Sequence, residues 1–230
     1  MGEQVLTISS TKNYIAIIDK NYLFMNNPYK QIKRVIDIVL SVMILIVFFV
    51  PILVIALLIK LEDKGTVLFK QQRTGKYGKI INVYKFRSMV MKNDVRNFKK
   101  EDQYTKIGSF IRKTSLDELP QIINILKGEM SFIGPRPWIP EYYENMNIIQ
   151  KERVNVLPGI TGLAQVSGRN GISVNDKINK DLEYIKNFSF KQDMIIMFKT
   201  VKTIFEKEEV NIGKMGIKKE IEDLKVQNNI

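Results

Sequence analysis

The chain has 230 residues, a formal net charge of +12 at pH 7, and neither cysteine nor histidine. The missing cysteines exclude a disulfide framework and thiolate metal sites; the missing histidines exclude most zinc centres and every imidazole acid–base scheme. Any chemistry therefore falls to carboxylates, Lys, Arg, hydroxyls or a hard cation on oxygen ligands. In chain order, residues 5–8 and 14–18 read as short strands and Asn26-Asn27-Pro28 as a turn. This extension, 1–29, carries no assigned chemistry.

Residues 38–59 follow: twenty-two positions without a charge, interrupted only by Ser41 and Pro51. At about 1.5 Å per residue such a helix reaches roughly 33 Å, enough to cross a hydrocarbon core. The segment is too long for a signal peptide, and Lys60-Leu61-Glu62 follows it instead of small residues. Lys30, Lys33 and Arg34 precede it, and Lys60, Lys64, Lys70 and Arg73 follow, so the positive-inside bias puts both ends on the cytoplasmic side. Pro51 removes a helical hydrogen bond and crowds the carbonyl of Val47, which predicts a kink. A re-entrant hairpin over 30–61 satisfies both observations; a kinked spanning helix and a buried core helix are the alternatives.

Beyond it, 66–69 and 80–84 read as strands around a Gly75…Gly78 turn, and 91–105 as a polar loop or exposed helix. A helix is expected over 116–127, stopped by Gly128, then turns at 134–140, a helix near 141–154, a Gly-rich loop at 158–171 and further helices. Met194, Met197, Phe198, Val201, Ile204 and Phe205 recur at helical spacing opposite Lys199 and Lys202, the pattern of an interfacial or a core-facing amphipathic helix. From residue 60 to 113 there are fifteen Lys plus Arg against five Asp plus Glu. That surplus favours an anionic partner, and no nucleic-acid recognition module accompanies it.

Ser115-Leu116-Asp117-Glu118 has the S-x-x-E spacing of a capping box, with Ser115 as N-cap. Acidic residues in a first helical turn need no role beyond offsetting the helix dipole. The same geometry, with Arg112 and Lys113 a turn upstream, also suits phosphate binding and keeps Asp117 ionised, as a carboxylate nucleophile requires. Glu118 beside it suits Mg²⁺ binding with Asp117, or proton handling. Lys85-Phe86-Arg87-Ser88 and Gly134-Pro135-Arg136-Pro137 present cations from a strand end and a rigid turn. Pro158-Gly159-Ile160-Thr161-Gly162 leads into Gln165 and Arg169, available to a base or phosphate. Taken singly, each also reads as a structural turn.

Together these segments resemble the bacterial sugar transferase family, the monotopic polyprenyl-phosphate phosphoglycosyl transferases. The resemblance runs from Lys33-Arg34-Val35-Ile36-Asp37 through Lys85 to Met89, Ser115 to Gln121, Leu126 to Pro137 and Pro158 to Asn170, so it covers about residues 30–212. It implies a helix-rich α/β fold: a re-entrant membrane helix broken at Pro51, a small cytoplasm-facing catalytic domain at 62–212, interfacial amphipathic helices, and a tail at 213–230. It further implies residence in the bacterial inner membrane among its lipids. In the implied chemistry Asp117 attacks the β-phosphate of a UDP-sugar, UMP leaves, and polyprenyl phosphate takes the phosphosugar from the carboxylate. Glu118 assists, Mg²⁺ neutralises the diphosphate, and Arg112 and Lys85 look like phosphate ligands. The chain departs from the family pattern at Val50, where a small polar residue is common, and at Leu163 and Ser167, where Trp and Asn are common. The sugar and the oligomeric state, a homo-oligomer included, stay open. The competing class is a basic, membrane-anchored recruitment protein without catalysis, which does not explain an acidic pair inside a basic segment.

Overall fold

Proline lacks the N–H that would pair with the carbonyl four residues back, so the helix carrying Pro51 has to break near Val47. In the computed structural model, which describes residues 27–90, 104–168, 171–205 and 217–228, it does. Helix α1 (Tyr29–Val47) and helix α2 (Phe49–Asp63) meet at Phe48, which leaves helical geometry at φ −96°, ψ 9°. The two limbs are bent by 65°. No single described helix is long and apolar enough to cross a membrane, whereas the bent pair passes that test together. The strands expected at 5–8 and 14–18 lie outside the described residues, as does most of the polar segment at 91–105.

Helix α1 is amphipathic in an inverted sense. Its buried stripe is Tyr29, Lys33, Asp37 and Ser41, one residue per turn, while Ile32, Val35, Val39, Met43, Ile46 and Val47 are exposed. The polar stripe ties the helix to the rest of the chain. Lys33 and the Tyr29 hydroxyl both donate to Asp193. Arg34 donates to the carbonyls of Ile125 at 2.5 Å and Leu126 at 2.8 Å, and Asp37 accepts from Ser131 Oγ at 3.1 Å. Two of the three cations upstream of the apolar segment, Lys33 and Arg34, are thus engaged inside the protein, which weakens the flanking-charge argument on that side.

Strands β1 (Leu68–Thr74) and β2 (Ile80–Phe86) form an antiparallel hairpin with Leu68 opposite Phe86 and Thr74 opposite Ile80. β1 extends past the expected 66–69 because its polar Lys70 and Gln72 occupy the exposed side of the alternation. Helix α3 (Lys106–Lys113) is capped by Thr105, whose Oγ1 accepts from Gly108 N–H at 2.8 Å. The helix expected over 116–127 divides at Pro120 into a 3₁₀ turn at Leu116–Glu118 and helix α4 (Gln121–Leu126). Strands β3 (Ser131–Ile133) and β4 (Gly159–Thr161) pair in parallel. Gly159 is required there: a Cβ on it would lie 2.1 Å from the Gly134 nitrogen.

The helix expected over 141–154 is α5 (Pro140–Glu144), α6 (Ile148–Lys151) and a 3₁₀ turn at Glu152–Val154. Asn147 interrupts it by capping α6 in a reciprocal box with Gln150. The rest is α7 (Leu163–Val166), α8 (Val174–Lys186), α9 (Phe190–Phe205) and α10 (Ile217–Asn228). One core gathers Tyr29, Ile133, Val156, Leu163, Tyr184, Phe188 and Ile196; a second packs Ile55 and Ile59 of α2 on Phe86 and Ile111. Along α9, Ile196 is buried and Met197, Phe198 and Val201 stay exposed. The helix-rich α/β expectation holds.

Candidate active site

Directly opposed residues of an antiparallel hairpin share a face. Lys85 faces Phe69, Val83 faces Gln71 and Ile81 faces Arg73, so these six line one side. From that side Lys85 Nζ reaches Glu118 Oε1 at 2.6 Å, and Arg136 from the 134–137 turn reaches the same oxygen at 3.5 Å. The turn is held from behind: Thr74 N–H donates to the Trp138 carbonyl and Arg153 to the Arg136 carbonyl, both at 2.8 Å. Arg153 is itself buried, paired with Asp181 at 2.6 Å and stacked 4.0 Å from the Trp138 ring centroid.

The expected capping box does not form. Ser115 sits in the left-handed region at φ 57° and its side chain caps nothing; Glu118 turns instead to Lys85 and Arg136. A three-residue 3₁₀ turn also lacks the aligned peptides that make a helix dipole, so the charge of Asp117 is set otherwise. Burial pushes the Asp117 carboxyl above the ordinary range; Glu118 adds to that, while Lys85 and Arg112 oppose it. This corrects the expectation that a helix-end field keeps Asp117 ionised. For Glu118 burial acts the same way, but Arg136 and Lys85 overcome it and hold the carboxyl at about 2. Burial lowers Lys85, against the pull of Glu118. The adjacent carboxyls are therefore driven apart, the arrangement that assigns two acids different roles.

Arg112 belongs to the edge of this cluster, its guanidinium 4.7 Å from the Tyr104 ring centroid. Arg87 is buried where β2 ends, its N–H bonded to the Val67 carbonyl at 2.9 Å. Gln165 is on α7, with both amide atoms buried and without a hydrogen-bond partner among the described residues. Gln165 makes no hydrogen bond to the Asp117–Glu118 pair. Arg169 lies outside the described residues. Arg73 reads in the sequence as one of the charges that follow the apolar segment; its place beside Arg136 emerges only from the hairpin alternation.

No cluster of three acidic ligands exists among the described residues. Glu118 Oε1 is committed to two cations, whereas no ion pair holds Asp117 among the described residues. A hard cation here would take Asp117 and complete its shell from phosphate oxygens and water, which is how Mg²⁺ commonly binds. The donor set fits Mg²⁺ on those terms.

Comparison with known proteins places these features. The profile of the family described as bacterial sugar transferase matches residues 28–207. The chain is 39% identical over 196 residues to undecaprenyl-phosphate galactose phosphotransferase of Salmonella typhimurium, covering 77% of this chain and 41% of that protein. It is 45% identical over 189 residues to the UDP-glucose:undecaprenyl-phosphate glucose-1-phosphate transferase of Klebsiella pneumoniae, covering 77% and 41%. Against the uncharacterized sugar transferase EpsL of Bacillus subtilis the identity is 40% over 179 residues, covering 77% and 89%. The chain thus spans well under half the length of the first two relatives and most of the third.

Proposed function

This chain belongs to the bacterial sugar transferase family, and we propose from that membership that it moves a sugar 1-phosphate from a UDP-sugar to polyprenyl phosphate, releasing UMP. One observation carries the reading: a carboxylate without an ion-pair partner among the described residues, Asp117, adjoins a carboxylate that gathers two cations, Glu118 with Lys85 and Arg136. The activities named for the relatives support the donor and acceptor classes.

In the proposed reaction an Asp117 carboxylate oxygen attacks the β-phosphorus. The bond from that phosphorus to the oxygen bridging the α-phosphate breaks, and UMP leaves with the electron pair. A phosphate oxygen of the polyprenyl acceptor then attacks the aspartyl phosphosugar and returns the carboxylate. Mg²⁺, when bound, supplies neutralising charge at the diphosphate. Lys85, Arg112 and Arg136 hold phosphate oxygens around Asp117. Glu118, held at about 2, is a poor proton carrier near neutral pH. A phosphate acceptor, with a second pKa of about 6, needs little deprotonation there. The role that suits Glu118 is positioning Lys85 and Arg136. Burial raises Asp117 in the free site; a bound cation or metal favours its ionised form.

The membrane reading is part of the proposal. Helix α1 buries its polar stripe and exposes its apolar side, which suits lipid around a re-entrant α1–α2 pair, with the catalytic domain on the cytoplasmic face of the inner membrane. The exposed apolar face of α9 suits the interface.

The test is UMP release by purified protein with undecaprenyl phosphate and a panel of UDP-sugars. The relatives' names span galactose, glucose and N-acetylgalactosamine. Release with at least one sugar, lost in EDTA and restored by Mg²⁺, is expected. Silence across the panel overturns the enzymatic reading in favour of a recruitment protein, and full activity in chelated buffer removes the metal.

A further inference from the structure

Arg73 faces the same side of the hairpin as Lys85, at its opposite end. The Thr74–Trp138 hydrogen bond brings that end against the turn carrying Arg136. A guanidinium has five N–H donors. Among the described residues Arg73 has one protein acceptor, Gln71 Oε1 at 2.6 Å, and no carboxylate partner. Of the two acids near Arg73, Glu118 is already shared by Lys85 and Arg136, and Glu141 forms no ion pair with it among the described residues. Burial and then Arg136 push Arg73 down to about 10, with Glu118 only partly offsetting them. Two guanidiniums kept together in a half-buried site, one of them without an ion pair among the described residues, have room for an anion.

We propose that Arg73 and Arg136 form a two-guanidinium clamp on the phosphate of the departing nucleotide. The side of the site identifies which phosphate. Lys85 stands at the hairpin end nearest the Asp117–Glu118 turn, bonded to Glu118 at 2.6 Å, whereas Arg73 stands at the far end, beside the turn that carries Arg136. Phosphoryl transfer puts nucleophile and leaving group on opposite sides of the phosphorus. With Asp117 as nucleophile, cations beyond Glu118 face the leaving group. Planar, forked guanidiniums suit a terminal phosphate, which presents three oxygens once UMP has formed. This inference rests on the sugar-phosphate transfer reading.

The experiment measures UMP binding to the purified full chain by calorimetry, with no sugar or lipid present. Arg73→Gln should weaken UMP about ten- to a hundredfold, the worth of a hydrogen bond to a charged group. Arg73→Lys, which keeps the charge and loses the fork, should fall between. Both should melt as the wild type does. In turnover assays UMP inhibition should weaken in the same order. Wild-type affinity in Arg73→Gln, or no UMP binding by the wild type, overturns the clamp. An equal loss in both variants together with lowered melting makes Arg73 structural and overturns it too. Failure of the transfer reading is separable: a UDP-sugar panel without turnover leaves the UMP affinity series readable.

Discussion

The acid at Asp193 and the acid at Glu118 each collect cations or hydroxyls from distant parts of the chain, and they are finished differently. Asp193 receives Lys33, the Tyr29 hydroxyl at 2.7 Å and the Tyr184 hydroxyl at 2.8 Å. One cation meets one carboxylate, the side chains are nearly excluded from water, and three regular helices, α1, α8 and α9, carry them. Glu118 receives Lys85 and Arg136, with Arg73 close behind and Arg136 still 48% exposed. Its supports are a strand, a turn and a three-residue 3₁₀ segment entered through a left-handed Ser115. A buried charge pair that closes on itself holds a fold together. One that keeps surplus cations and an irregular, partly open backbone is incomplete without a ligand.

Changing each acid to its amide separates these roles. Asp117→Asn should lose UMP release by about a millionfold, the scale seen when a nucleophile is removed, while melting is unchanged because no ion pair among the described residues depends on it. Intact mass spectrometry with UDP-sugar and no acceptor should find the phosphosugar on Asp117 in the wild type. An adduct on Glu118, or steady turnover by folded Asp117→Asn, would reverse the assignment.

Asp193→Asn leaves Lys33 buried without its charge partner and should cost about 3–5 kcal/mol of stability. Denaturant unfolding in detergent measures it. A near-neutral result would mean that the closed centre is not a structural clamp.

Glu118→Gln should reduce turnover about a hundredfold with a smaller loss of stability, since its cations retain access to water. Its pH signature is specific. Glu118 raises Asp117, so the acid limb of kcat/KM, set by Asp117 above the ordinary carboxylate range, should move to lower pH in the variant. A limb moving upward contradicts the coupling. The depressed Glu118 contributes stability above its unfolded value of 4.5 that is lost as pH falls through about 2. The variant should lack that component.

The smallest effect is expected at Ser115. Its φ of 57° favours glycine, so Ser115→Gly should stabilise by up to about 1 kcal/mol. A loss of the size expected for a removed helix cap would instead restore the capping box.

The proline-split apolar segment and the hairpin around Gly75 and Gly78 were legible in the sequence, because both depend on residues within a few positions of each other. Lys85, Asp117, Glu118 and Arg136 were legible as short motifs. The role of Ser115 was not legible, because capping-box spacing does not say whether Glu118 has stronger partners elsewhere; here Lys85 and Arg136, from 33 and 18 residues away, outcompete the helix end. Lys33 and Arg34 were read as flanking charges although they meet Asp193 and the end of α4, contacts 160 and 91 residues apart in sequence. Arg73 looks like one more flanking charge, because nothing within a few positions of it marks its approach to Arg136.

By itself, then, the amino-acid sequence determined the exclusion of imidazole and thiol chemistry, the family, and the position of the break in the apolar helix, since composition, motif and a missing proline N–H act locally. Tertiary structure decided which side of α1 is buried, which acid is held at about 2 and which is raised, and that Arg73 joins Arg136. Those depend on burial and on charges brought together from remote strands and turns, and desolvation and Coulomb energies are properties of that assembled neighbourhood.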